Sequence, residues 1–269
     1  MSVPSAARRG LLILPLLALT LIAGCQSNSD QRRLARLTPE SLYERGHRSL
    51  RSGDYAEAVK VYEALNARYP FTLQARQGRL DIIYAYYRMG EKESAKDAAD
   101  TFIRENPAHP RLDYAWYLKG LIDFERTANM FERWLRVDLS ERPPSTARDA
   151  LQSLRVVVER FPKSAYANDA RRRMIHLRNR LADYELRISE HYVERGAWVA
   201  AAQRSRQLIE QYDGAPAVQD ALRILVRSYR ELDYAELADN TEKVFHENYP
   251  DEALNAQQVG RHWWKPWGG

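Results

Sequence analysis

The sequence predicts an all-α solenoid of about five helical hairpins, and three observations carry that expectation. Five segments share one frame: GDYAEAVKVYEALNARYP from Gly53, GEKESAKDAADTFIRENP from Gly90, STARDALQSLRVVVERFP from Ser145, GAWVAAAQRSRQLIEQYD from Gly196 and DYAELADNTEKVFHENYP from Asp233. Each carries alanine five residues after its start (Ala58, Ala95, Ala150, Ala201, Ala238) and a large apolar residue seven later (Leu65, Phe102, Val157, Leu208, Phe245). Proline closes four of the five frames, with Asp213 in the remaining one, and alternating β-branched runs and Asn-Gly hairpin turns are absent.

Seven residues make two helical turns, so each alanine and its apolar partner share a face. A small residue lets two helices approach, the large one fills the gap, and proline stops the helix because it cannot continue the hydrogen-bond ladder. The first frame also fits most of the tetratricopeptide pattern, with Gly46 in the first helix and Gly53, Tyr55, Ala58, Tyr62 and Pro70 in the second. That likeness implies a right-handed stack that buries a continuous core between neighbouring hairpins and leaves a groove and two ends for partners.

The frames start 37, 55, 51 and 37 residues apart, so two intervals are long. In the first, the 18 extra residues match Arg126 to Pro143, read as an irregular excursion or a short helix. In the second, the 14 extra residues fall where no helix breaker occurs. There Tyr166, Ala170, Met174, Leu177, Leu181, Tyr184, Ile188 and Tyr192 recur at three- and four-residue steps, which predicts one extended helix near 164–195.

The amino terminus has a different character. Arg8 and Arg9 precede an apolar run from Leu11 to Ala23, which contains Pro15 and ends in small residues. This reads as a secretory signal peptide over residues 1–24; the run is shorter than the roughly 20 residues of a membrane-spanning helix. Leu-Ile-Ala-Gly-Cys at its end resembles the bacterial lipobox, which implies a lipid on Cys25, the one cysteine of the chain. The other reading of Cys25 is a plain thiol beside an ordinary cleavage site. Gln26 after it, rather than Asp, points in the lipoprotein sorting pattern to the outer membrane. Residues 25–38 are polar enough to serve as a flexible tether of roughly 20 Å mean reach. The remaining divisions are amino-terminal repeats over 39–125, the insertion at 126–143, carboxy-terminal repeats over 144–250 and a Trp-rich tail at 251–269.

Composition excludes several functions. The net charge of +5 falls to +3 when Arg8 and Arg9 leave with the signal peptide, too little for a nucleic-acid binder, and an exported compartment holds no such partner. The six histidines show no His-Glu-x-x-His or similar metal-ligand spacing, and neither a phosphate-binding glycine loop nor a nucleophile elbow occurs. No catalytic residue, metal or cofactor is expected.

Three stretches carry a more specific likeness: RYPFTLQARQGRLDIIYAYYRMGE from Arg68, FIRENPAHPRLDYAWYLKGL from Phe102 and LRNRLADYELRISEHYVERGAWVAAAQR from Leu177. With the lipobox and the repeat spacing, they resemble the BamD/ComL family of outer-membrane assembly lipoproteins over roughly Thr38 to Pro250. The resemblance implies a periplasmic scaffold tethered to the outer membrane within the complex that folds and inserts β-barrel proteins. It also implies an amino-terminal groove for unfolded barrel proteins, carboxy-terminal repeats that dock on the periplasmic domain of BamA, and companion lipoproteins.

Residues that suit these roles are the corner Tyr69, Pro70 and Phe71 and the cluster Tyr84, Tyr86 and Tyr87, whose rigid aromatic surface suits capture of aromatic-rich strands. Helical periodicity cannot place all three clustered tyrosines on one face, so some of them are expected in the core. For docking, Glu194, Arg195, Gly196, Ala197 and Trp198 form a hairpin corner, with Arg204 two turns on. Arg204 matches the family's docking arginine, whose fork suits a partner carboxylate; a solvated helix face is the alternative. The heptad-spaced Arg173, Arg180 and Arg187 read as a solvent-facing stripe, or as a contact for anionic lipid or an acidic partner. The tail residues Trp263, Trp264 and Trp267 suit a membrane interface, a partner's groove or a disordered end. Two other functions stay open: a peptidoglycan or cell-envelope adaptor, and an enzyme that uses the solenoid as a frame, although only a short tail follows the last repeat.

Overall fold

The computed structural model describes residue 34 and residues 36–126 and 145–255. Cys25, the 126–143 insertion beyond its first residue, and the tail from residue 256 lie outside the described residues. Among those described, the secondary structure is ten helices: α1 (Pro39–Ser52), α2 (Tyr55–Arg68), α3 (Leu73–Met89), α4 (Lys92–Glu105), α5 (Leu112–Arg126), α6 (Ser145–Arg160), α7 (Ala167–Glu194), α8 (Trp198–Gln211), α9 (Ala217–Glu231) and α10 (Ala235–Asn248). They pair in order as five antiparallel-type hairpins, and the second helix of each holds one sequence frame.

The frame's physical logic is visible residue by residue. Ala58, Ala95, Ala150 and Ala201 are fully buried and Ala238 nearly so, as are Leu65, Phe102, Val157, Leu208 and Phe245. In four of the five frames the first residue is the turn between helices: Gly53, Gly90 and Gly196 have φ of +84°, +79° and +67°, and Asp233 takes +60°, while Ser145 already opens α6. Glycine has no Cβ to clash in this left-handed region, and aspartate is among the few side chains that tolerate it. At the other end, Tyr69, Phe161, Tyr212 and Tyr249 return their backbone N–H to the carbonyls of Leu65, Val157, Leu208 and Phe245 at 2.8, 3.1, 2.9 and 2.8 Å. In the frames that have it, the proline follows directly and prevents further helix.

The chain divides into two compact units, Met1–Glu105 and Asn106–Gly269. In the first, α1 to α4 pack in sequence and α1 also meets α3. Thr38, Asp54 and Thr72 cap α1, α2 and α3 by accepting from the backbone N–H of Ser41, Glu57 and Ala75. Tyr62 fills the centre, and a Cβ on Gly46 would stand 2.6 Å from its ring, so the tetratricopeptide glycine exists to let that tyrosine in.

In the second unit, α5 pairs with α6, α7 packs against α6, α8 and α9, and α10 closes on α9. The extended helix α7 has 28 residues, about 42 Å at 1.5 Å per residue. Its buried face differs from the apolar stripe read in the sequence. It follows Ala170, Leu177 and Leu181 and then turns through Glu185, Ser189 and Val193, while Tyr184, Ile188 and Tyr192 are only half-buried. The deviation is possible because Glu185 is neutralised where it is buried, as described next, and Ser189 Oγ donates to the Glu185 carbonyl at 3.1 Å.

Candidate interaction surfaces

The α2–α3 corner offers one rigid apolar projection. Tyr69 is half-buried, its hydroxyl donating to the Leu37 carbonyl at 3.2 Å. Pro70 has its carbonyl held by Arg79 Nη2 at 2.9 Å, and Arg79 in turn reaches Glu105 at 3.2 Å. Between these fixed groups Phe71 projects with 93% of its surface exposed, beside Leu73 at 71%. Leu73, absent from the sequence-based candidates, shares the projection because it is the first residue of α3, before the helix turns its face inward.

The three clustered tyrosines stand elsewhere. They lie 13 to 16 residues beyond Phe71 near the far end of α3, about 20 Å away along its axis. The corner and the cluster are therefore two surfaces, not one. All three are half-buried, and Tyr86 packs against the core of the first unit, as expected of part of the cluster; the fully inward positions of this stretch belong to Ile82, Ile83 and Ala85. Tyr84 meets Tyr55 edge-on at 6.3 Å, and Arg88 donates to the Tyr84 hydroxyl at 2.6 Å with its guanidinium over both rings. Tyr86 donates to Glu63 at 3.2 Å, and partial burial with that carboxylate pushes its hydroxyl pKa up.

Beneath α3 lies a polar knot the sequence reading missed. Asp81 is buried, and its Oδ2 accepts from the hydroxyls of Tyr43 and Tyr62, both at 3.2 Å, while Oδ1 accepts from Gln77 at 2.8 Å. Burial raises the Asp81 pKa, against the opposing pull of these donors and of His47. Burial followed by the Asp81 charge raises that of Tyr62 strongly. The available signal was an aspartate inside the apolar run Leu-Asp-Ile-Ile.

In the second unit, the α7–α8 corner exposes Glu194, Arg195 and Gly196, with Val199 exposed beside them. Trp198 turns inward as a half-buried side chain against the buried cluster of Val193, Ala201 and Ile224, with Arg227 5.1 Å from its ring centre. Arg204 is also committed within the chain. Its Nη1 donates to Glu185 Oε2 at 3.2 Å, while Arg148 from α6 donates to Oε1 at 3.1 Å. A carboxylate only 3% exposed is thus held between two arginines that both remain partly open to solvent. Nearby, burial together with Asp220 and Glu194 pushes the Glu190 carboxyl pKa up against the pull of Arg187.

The arginine stripe is not uniformly solvated: Arg173 donates to Asp169 at 2.5 Å and lies over the Phe124 ring, and Asp169 also accepts from Tyr117 at 2.8 Å. Arg180 and Arg187 are half-buried. Among the described residues, no helix is long and apolar enough to cross a membrane.

The family model for YfiO, outer membrane lipoprotein, matches residues 36–244, spanning helices of both units. The chain is 36% identical over 253 residues to the outer membrane protein assembly factor BamD of Neisseria gonorrhoeae, covering 91% of this chain and 95% of that protein.

The chain belongs to the BamD family.

The BamD of Vibrio cholerae is 34% identical over 233 residues, covering 87% of this chain and 96% of its own length. Among solved structures, a MamA protein aligns over 79% of this chain and 92% of its own, at 14% identity and a TM-score of 0.34.

Proposed function

We propose that the protein is a non-catalytic scaffold for assembly of outer-membrane β-barrel proteins, held at the periplasmic face of the outer membrane by lipid on Cys25. The observation that carries this reading is the 36% identity, over 91% of the chain, to a protein named an outer membrane protein assembly factor. In this reading the first unit receives unfolded barrel proteins at Phe71 and Leu73, with the Tyr84, Tyr86 and Tyr87 surface as a second contact. The α7–α8 corner docks on the periplasmic domain of a BamA-type partner through Glu194, Arg195 and the open side of Arg204. Companion lipoproteins of the same complex are further partners.

The geometry supports a binding role for Phe71. An apolar side chain left 93% exposed gains nothing from the fold, and its neighbours are fixed by hydrogen bonds, so capture has to order the ring and not the corner that carries it. Arg204 retains donors beyond the one used by Glu185, and the anchored guanidinium presents them in a set orientation.

Purification of the protein from solubilised envelopes tests the assignment. Co-purification of a barrel protein with periplasmic repeats is expected; recovery of murein-binding proteins alone would replace it with a cell-envelope adaptor. Acylation supplies about 0.8 kcal/mol per buried methylene, so several chains on Cys25 make a stable anchor. Cys25→Ala is therefore expected to leave the repeats folded, lower the amount of the protein at the outer membrane and reduce barrel insertion. Normal membrane levels and normal insertion in that variant would contradict the anchor.

A further inference from the structure

A cavity of about 320 Å³ opens within the second unit between α6, the first half of α7 and the end of α8. Its apolar lining comes from Leu151, Met174, Ile175 and Tyr212, and Ile175 leaves 52% of its surface exposed. Arg155, Arg171 and Arg178 line the same cavity. Arg178 lies 16 residues before Glu194, the last residue of the same helix, about 24 Å from the α7–α8 corner, so this surface is separate from the docking corner.

The three arginines are held in place chiefly by uncharged groups. Arg178 donates to the backbone carbonyls of Asp213 and Gly214 at 3.0 and 2.8 Å and to Asn179 Oδ1 at 3.1 Å. Arg171 donates to Asn168 Oδ1 at 2.8 Å. Arg155 meets Glu159 at 4.0 Å, an exposed pair of the kind that contributes about 0–1 kcal/mol. Positive charge therefore gathers around an apolar cavity with little carboxylate to balance it.

Charge and size together select the occupant. The arginines require an anionic partner and favour carboxylates, which accept a guanidinium fork. The apolar lining requires a large apolar group, and the volume sits at the low end of the roughly 300–1,000 Å³ of ligand pockets. That space suits one or two side chains rather than an acyl chain with its headgroup, which favours polypeptide over lipid. We propose that this cavity binds an acidic segment of another polypeptide, which inserts a large apolar side chain flanked by carboxylates that pair with Arg155 and Arg171.

The test titrates the full-length protein, in neutral detergent, into a fluorescein-labelled, end-capped peptide Gly-Ser-Glu-Phe-Asp-Ser-Gly and follows anisotropy. Controls replace the two acids by lysine, or the phenylalanine by serine. The expected result is saturable binding of the acidic aromatic peptide, no binding of the lysine control and at least a tenfold loss with serine. Arg171→Glu and Ile175→Asp alter exposed side chains, so both variants should keep the wild-type melting temperature, and each should weaken binding about tenfold or more. Binding that is equal for the acidic and lysine peptides, or unchanged in both variants, would overturn the proposal. So would failure of the peptide to bind while dihexanoyl phosphatidylglycerol binds in an Arg171-dependent way, which would make the cavity a lipid site.

Discussion

Arg204 on α8 donates to Glu185 on α7 at 3.2 Å, and that one contact links the proposed docking arginine to a buried carboxylate in the second half of the extended helix. Arg148 completes the arrangement from the other side. Three helices therefore meet at one carboxylate. Removing Glu185 leaves two arginines facing each other across a void. Breaking a fully buried pair costs about 3–5 kcal/mol, but both arginines here reach solvent, so Glu185→Ala should destabilise by about 2 kcal/mol. Chemical unfolding of the variant measures this; a midpoint equal to that of the wild type would show that solvent already screens the trio.

The Asp81 knot sets a pH dependence whose sign is fixed by the direction of the shift. Its folded-state pKa is raised above the unfolded value, so its contribution to stability is complete below the unfolded pKa and is lost as pH rises through the folded pKa. Asparagine cannot ionise and still offers an oxygen to Tyr43 and Tyr62. Asp81→Asn should therefore gain stability relative to the wild type as pH rises from the ordinary carboxylate range to neutrality. Urea midpoints of both proteins measured from pH 4 to pH 7 check this; a difference that does not change with pH would contradict it.

Gly46 and Tyr62 offer a packing test. A Cβ at position 46 would lie 2.6 Å from the Tyr62 ring, whose hydroxyl is tied to Asp81, so the ring has no easy retreat. Gly46→Ala should cost about 1–3 kcal/mol by overpacking. Pairing it with Tyr62→Leu should recover part of the Gly46→Ala cost, seen as a coupling term in a thermal-unfolding double-mutant cycle. Strict additivity would mean that the helices separate rather than the ring yielding.

The repeat was legible in the sequence because it is written in local terms. Alanine spacing, the apolar residue two turns on, the glycine turn and the proline stop all act within one frame, and the five alanines are buried where the frame puts them. The length of α7 was legible for the same reason: no breaker interrupts it. What escaped depends on partners far away in the chain. Glu185 looks like a solvent residue until Arg148 and Arg204 arrive from other helices, and Asp81 looks like a flaw in an apolar run until Tyr43 and Tyr62 supply hydroxyls. Periodicity reports which face is buried and cannot report which polar groups meet there. The separation of Phe71 from the tyrosine cluster follows from the length of α3, whose 1.5 Å rise per residue holds positions close in sequence about 20 Å apart.

Phe71 also separates binding from folding. At 93% exposure its replacement by serine should change stability by less than about 0.5 kcal/mol while lowering barrel-protein insertion in cells. Equal insertion by wild-type and Phe71→Ser proteins at matched levels would remove Phe71 from the client surface.

The most direct measurement places a photo-reactive phenylalanine analogue at position 71 and, separately, at Val199 on the α7–α8 corner, and identifies what each captures in living cells. The account predicts unfolded β-barrel proteins bound at position 71 and one large barrel protein with periplasmic repeats bound at position 199. Capture of only murein-associated proteins at both positions would contradict it.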